Sequence, residues 1–188
     1  MANKEINNNG YEYADLNLPS GTLWATMNVG ADKPTDFGLY FTWGDTQGYT
    51  KGQCSNYKWE KNSKYTNPGT SLNLEDDAAH INMGGDWHIP SPEQIKELLD
   101  NTTSVFKTLN GIRGIKFTSK NHKSIFIPAA GYAFEDSVNY GGNDGNIWSS
   151  MLDMDDANYG RYLYFCSGIT IPSCSVRNVG YSVRGVIG

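Results

Sequence analysis

At 188 residues the chain is long enough for one domain with a buried core, and 21 Gly, 12 Tyr, 5 Trp and only 19% charged residues point to a turn-rich β or α+β domain rather than a helical bundle. A net charge of −5 without a Lys or Arg cluster removes the electrostatic basis for binding nucleic acid and disfavours anionic membranes. No apolar run approaches the roughly 20 residues of a bilayer span, and the polar start MANKEINNNG lacks the apolar region of a secretory signal, so no signal peptide and no direct membrane insertion are expected in the chain as given.

In chain order, YADLNLPSGTLWATMNVGA alternates apolar positions, turns at Pro19-Ser20-Gly21 and resumes at Leu23-Trp24-Ala25, which predicts an N-terminal β-hairpin. In DFGLYFTWGD, period two puts Phe37, Leu39, Phe41 and Trp43 on an apolar face and Tyr40 and Thr42 on the other, with Gly44 ending the strand. Residues 45–73 have little periodicity and read as a surface loop with local turns, not a domain boundary. LEDDAAHINMGG predicts a short helix, with Asp76 and Asp77 as partners of its N-terminal dipole rather than an acid/base or metal pair. HIPSPEQIKELLDN predicts a second helix capped by Ser91, with Pro92 at its first position, Gln94 completing a capping box, and Ile95, Leu98 and Leu99 facing a sheet. Strands follow at Ile115 to Ser119 and Ser124 to Ile127 around a turn at Asn121-His122, and then within NIWSSML, RYLYFCSGITI and YSVRGVI.

Chemistry-bearing patterns are mostly absent. His80, His88 and His122 fall on three elements without i, i+4 spacing, and Cys54, Cys166 and Cys174 lack CxxC spacing, so no metal site is expected. The cysteines read as three free thiols, with a Cys166 to Cys174 bridge as the alternative. There is no GxSxG, GxxxxGKS, HExxH or EF-hand loop, and glycosidase-type carboxylate pairs have no local spacing by which to recognise them. In YLYFC, Leu163 and Phe165 share one face while Tyr162, Tyr164 and Cys166 share the other. Two readings stand: a strand buried on both faces, or a core face backed by a displayed one.

DLNLPSGTLWATMNVGA with DFGLYFTWGDT, then LEDDAAHINMGGDWHIPSPEQIKELLD, then SIFIPAAGY followed by NIWSS and GYSVRGV, together resemble bacterial and phage domains with a C-type lectin fold, related in architecture to formylglycine-generating enzymes. Within that group they are most similar to the variable proteins of diversity-generating retroelements. The resemblance implies an α+β C-type lectin fold, with mixed antiparallel sheets, two short helices and long loops. Residues 1–12 would form a flexible lead and 13–188 a single domain, with a variable ligand-binding region at about 146–188. It also implies a mutational mechanism, in which a reverse transcriptase copies a template repeat with errors at adenines and replaces the 3′ end of the gene. Mutagenised Asn codons yield Tyr, Cys, Gly, Ile, Ser, Val, Asp, Leu or Arg, but not Lys, Glu, Gln, Met or Trp. After Met151 the chain contains no Lys, Glu, Gln or Trp, and Met154 is the one residue there that such a codon cannot produce, so it should be fixed.

Carried over by position, the variable residues are Asp155, Tyr159, Tyr162, Tyr164, Cys166, Gly168, Ile169, Ile171, Cys174, Ser175, Val176, Asn178 and Val179. Trp148, Ser149, Leu163, Phe165, Pro172, Arg177, Gly180, Val183 and Arg184 match the constant frame, and the resemblance does not assign Asp153 and Asp156 to either set. The resemblance implies a non-enzymatic adhesion or receptor-binding protein without a cofactor. Its partner would be a protein or glycan receptor on a target cell, and a fibre or pilus protein would anchor it at a phage tail tip or bacterial surface. The alternative is an undiversified structural or accessory domain of a bacterial surface protein with the same fold. The Glu-Pro-Asn and Trp-Asn-Asp calcium motifs of animal C-type lectins and the paired cysteines of formylglycine-generating enzymes are absent, so neither calcium-dependent sugar binding nor oxidase activity is implied.

Overall fold

The computed structural model describes residues 5–6, 9–51, 53 and 60–188; Cys54 lies outside them. The architecture is α+β, mostly sheet with two short α-helices. β1 (Glu5–Ile6), β2 (Glu12–Asp15) and β3 (Leu23–Ala25) form the expected N-terminal hairpin and its extension, with Tyr13 opposite Ala25. The segment expected to be a flexible lead thus contributes β1, paired Glu5 to Tyr13 and Ile6 to Glu12. β14 (Val186–Ile187) closes this sheet in the order β1-β2-β3-β14.

The second sheet has the order β12-β11-β10-β13-β4, built from β4 (Tyr40–Phe41), β10 (Gly145–Leu152), β11 (Tyr159–Cys166), β12 (Ile169–Val176) and β13 (Tyr181–Ser182). Its β10–β13 pair is parallel and the others are antiparallel. The expected one-sided face around β4 is corrected here, because Tyr40, Phe41, Thr42 and Trp43 are all buried. Phe41 packs with Trp43 and Trp148, while Tyr40 points into a small cluster with Ala130 and Ala133 and donates its hydroxyl to the Ala130 carbonyl at 2.7 Å. The regular strand is confined to Tyr40–Phe41, and Phe37, expected on the face of Phe41 and Trp43, packs instead with the Tyr40 cluster.

Both helices begin as their sequences dictate. α1 (Ala78–Met83) is capped by Asp77, whose carboxylate accepts from the Ala79, His80 and Ile89 amides at 2.8–2.9 Å. Burial holds this carboxyl above its usual range, opposed by those amide bonds. α2 (Pro92–Asn101) has the full Ser91/Gln94 capping box, and buries Ile95 and Leu98 against the sheets. β5 (Thr102–Leu109), which the sequence reading missed, follows directly and pairs with β6 (Ile112–Ser119), itself paired with β7 (Ser124–Pro128). β8 (Tyr132–Phe134) and β9 (Ser137–Asn139) form a separate hairpin. The region 45–73 is tied down where described: Tyr49 bridges Tyr40, Ser71 bridges Met151, and Tyr65 packs edge-on against Trp43.

Two large apolar clusters result. One joins α2, the β5–β7 sheet and the Leu163/Phe165 side of β11; the other gathers α1 around Trp43, Trp87 and Trp148. Trp43 donates its indole N–H to the Ser149 carbonyl and Trp148 donates to that of Phe41, so the segment leaving β4 and strand β10 hold each other reciprocally. Arg184, wholly buried, links three segments: it donates to Asn28 Oδ1 at 3.0 Å, to the Ala25 carbonyl at 2.9 Å and to the Phe126 carbonyl at 3.1 Å. Burial lowers its pKa to about 9, which leaves it charged at neutral pH. Removing it strands three buried acceptors, so Arg184→Met is expected to lower the unfolding free energy in urea by about 3–5 kcal/mol, with Arg184→Lys recovering part of the loss.

Candidate ligand-binding face

β11 and β12 form a hairpin in register on every rung from Tyr159 and Val176 to Cys166 and Ile169. Residues opposite one another on an antiparallel ladder project to the same side. One side of the hairpin therefore carries Tyr162, Tyr164, Cys166, Ile169, Ile171, Ser173 and Ser175, and the other carries Tyr159, Arg161, Leu163, Phe165, Thr170, Pro172, Cys174 and Val176. Leu163 and Phe165 are fully buried, whereas Ile169 and Ile171 are 48% and 49% exposed. The core side and displayed side read from YLYFC are thus separated as the alternation predicts, although Tyr162, Tyr164 and Cys166 are half-buried rather than open.

The displayed side grades from packed to open. Tyr162 meets Trp148 edge-on at 6.0 Å and Tyr181 at 4.7 Å, and Tyr181 lies 4.4 Å from Trp148 while its hydroxyl hydrogen-bonds to Ser175 Oγ at 2.9 Å. Beyond this cluster Tyr164, Cys166, Ile169 and Ile171 are contiguous, with no acidic or basic residue among them. The Cys166 sulfur, ahead of burial, holds the Tyr164 phenol above its ordinary pKa, so that hydroxyl stays a neutral donor.

The other expected variable residues are spread more widely. Asp155 is exposed in the loop before β11. Tyr159, Cys174 and Val176 are exposed on the opposite side of the hairpin. Asn178 is half-buried, and Val179 packs against the tryptophan-rich core. Gly168 occupies the two-residue turn at φ +89°, where any L side chain is strained. Asp153 is structural: its Oδ1 accepts the Asp155 and Asp156 amides and its Oδ2 accepts the Cys174 thiol at 3.0 Å. The bridged alternative for Cys166 and Cys174 is overturned, since they are free thiols at opposite ends and on opposite sides of the hairpin.

Of the expected frame, Trp148, Ser149, Leu163, Phe165, Arg177, Gly180, Val183 and Arg184 are buried, but Pro172 is exposed on edge strand β12. Proline has no N–H, so its rung with Leu163 is a non-hydrogen-bonded one and the missing donor faces outward. This interrupts the unpaired edge at its middle, a feature that discourages strand addition. The sequence reading also missed Tyr132 and Tyr140, 6.0 Å apart on and beside the β8–β9 hairpin, which joins β13 through an Ala133–Gly180 bridge. Tyr140, 60% exposed at φ +56°, directly precedes the Gly141-Gly142 pair, and an aromatic at such a turn was the available signal.

Among the described residues no group of three or more His, Cys, Asp or Glu comes together, and no helix is long and apolar enough to cross a membrane. No family model, curated protein or solved structure matches the chain.

Restoring a donor on the edge with Pro172→Thr is expected to increase self-association, measured by sedimentation velocity, with little change in secondary structure. Burial, then the Asp153 carboxylate, pushes the Cys174 thiol up to about 11. In a protein carrying Cys54→Ser and Cys166→Ser, Cys174 should therefore alkylate slowly at pH 8 and faster as pH rises toward that value, and adding Asp153→Asn should accelerate it several-fold at pH 8.

Proposed function

We propose that this is a non-enzymatic binding protein with a C-type lectin fold, whose β11–β12 hairpin and flanking loops form a ligand-binding face diversified by adenine-directed mutagenic retrohoming. The observation that carries the reading is the strip of half-buried Tyr164 and Cys166 and exposed Ile169 and Ile171, backed on the other side of the strand by fully buried Leu163 and Phe165. Exposed isoleucines beside a half-buried tyrosine are costly as mere surface but supply apolar anchors to a partner, and tyrosine gives rigid contact area at small entropic cost. Interleaved buried neighbours let the displayed side chains change while the sheet stays fixed. The absence of Lys, Glu, Gln and Trp after Met151 supports the diversification part. In this reading the receptor is a protein or glycan on a target cell, a fibre or pilus protein is the anchor, and multivalent display at a phage tail tip or bacterial surface raises avidity.

Sequencing the gene's 3′ end and its flanks in many independent isolates tests this directly. The expected result is variation concentrated at the codons of Tyr164, Cys166, Ile169 and Ile171 and matched to adenines in a nearby near-copy, with Gly168 and Met154 rarely changed. An invariant 3′ end without a near-copy would sink diversification and leave an undiversified surface domain. In stability measurements, Tyr164→Ala and Ile171→Ala should each cost under about 1 kcal/mol, whereas Tyr162→Ala should cost about 2 kcal/mol because it opens the Trp148/Tyr181 cluster.

A further inference from the structure

On the side of the sheet away from Tyr164 and Ile171, a cleft of about 410 Å³ lies between α2 and strands β10–β12. Its size falls in the range of small-molecule sites. Pro92, Ile95 and Leu99 of α2 and Pro172 of β12 give it apolar walls, and the sheet contributes Ser149, Arg161 and Tyr162.

Two features of that sheet wall are not explained by the fold. Ser149 is 1% exposed and its hydroxyl has no hydrogen-bond partner among the described residues, although its backbone carbonyl is engaged by Trp43. A buried serine without a partner is destabilising compared with alanine, so packing alone does not account for it. It lies where the β10–β11 register slips between Trp148 and Leu152, the kind of irregularity that re-aims a side chain beside a site. Arg161, half-buried, interacts with the Cys174 thiol but forms no ion pair among the described residues, so its charge has no acidic partner there.

We propose that this cleft binds a small monocarboxylate with a compact apolar body, aryl or branched alkyl, the body lying against Ile95, Leu99 and Pro172 and the carboxylate accepting hydrogen bonds from Arg161 and Ser149. One guanidinium balances one negative charge, which favours a carboxylate over a doubly charged phosphate. Of the other charged wall residues, Lys96 is paired with Asp100, and Glu93 in the first turn of α2 favours the orientation that places the ligand's acid at Arg161. The site lies on the other side of the sheet from the displayed strip, so it stands or falls independently of the receptor-binding reading.

Titrating the ¹⁵N-labelled full chain with phenylacetate, and separately with its neutral amide, tests the proposal. Saturable shifts are expected at the amides of Ile95, Leu99, Ser149 and Arg161, with the neutral amide at least about fivefold weaker. Ser149→Ala is expected to weaken phenylacetate binding about fivefold with an unchanged or higher Tm, because it removes an unpaired buried hydroxyl. Arg161→Gln should weaken binding about tenfold, with Arg161→Lys partly restoring it. Absence of saturable shifts at these amides, equal binding of the acid and its amide, or wild-type affinity in both Ser149→Ala and Arg161→Gln would overturn it.

Discussion

Arg184 is the point on which the layers depend. A cation taken wholly out of water needs acceptors, and here each of the three guanidinium nitrogens has one, an amide oxygen and two main-chain carbonyls rather than a carboxylate. Those acceptors come from β3, from the turn after it and from β7, so the N-terminal sheet and the β5–β7 sheet must hold their places for the charge to be tolerated. The reciprocal indole bonds of Trp43 and Trp148 do the equivalent for the segment after β4 and strand β10. These directional contacts specify which segments meet, while the apolar clusters around them supply the bulk of the burial.

On this foundation β11 is a strand of divided duty. Its odd positions, Leu163 and Phe165, are core, and its even positions run from Tyr162, locked into an aromatic cluster, to Cys166, next to the turn. The candidate face is therefore not uniform. Substitution is cheapest near the turn and costs more toward Tyr162, and the exposed residues of β12 are divided between two sides. The proposed carboxylate cleft uses the second side, where Pro172 serves both as an apolar wall and as the break in the strand edge.

Much of the fold could be read locally. The Ser91-Pro92-Gln94 cap, the Asp77 cap and the alternation in YLYFC each depend on neighbouring residues alone, and each is seen in the structure. β5 was missed because it starts directly after α2 without a turn residue, and its side chains are mostly exposed, so no apolar alternation marks it. Yet its turn was legible: Asn110 and Gly111 at φ +50° and +82° form the Asn-Gly connection typical of tight hairpins. The burial of Tyr40 was not legible, because it depends on residues about ninety positions away, Ala130 and Ala133. For the site, the alternation showed which side chains leave the core. It could not show that Tyr162 rests on Tyr181, or that Ser149 and Arg161 share a cleft with α2, because those are facts of three-dimensional register.

From β10 the chain runs out to one edge of its sheet through β11 and β12, then crosses back to pair β13 with the other side of β10 in parallel. Contacts within the β11–β12 hairpin join residues close in sequence, such as Cys166 with Ile169, whereas β14 reaches back to β3 across most of the chain. Loop-closure entropy separates these two kinds of contact: the hairpin can zip locally, while joining the chain's two ends requires a much larger loop to close. Changes to displayed side chains near its turn would then act mainly on a local, quickly formed unit, leaving the slow long-range assembly of the scaffold largely to residues outside it.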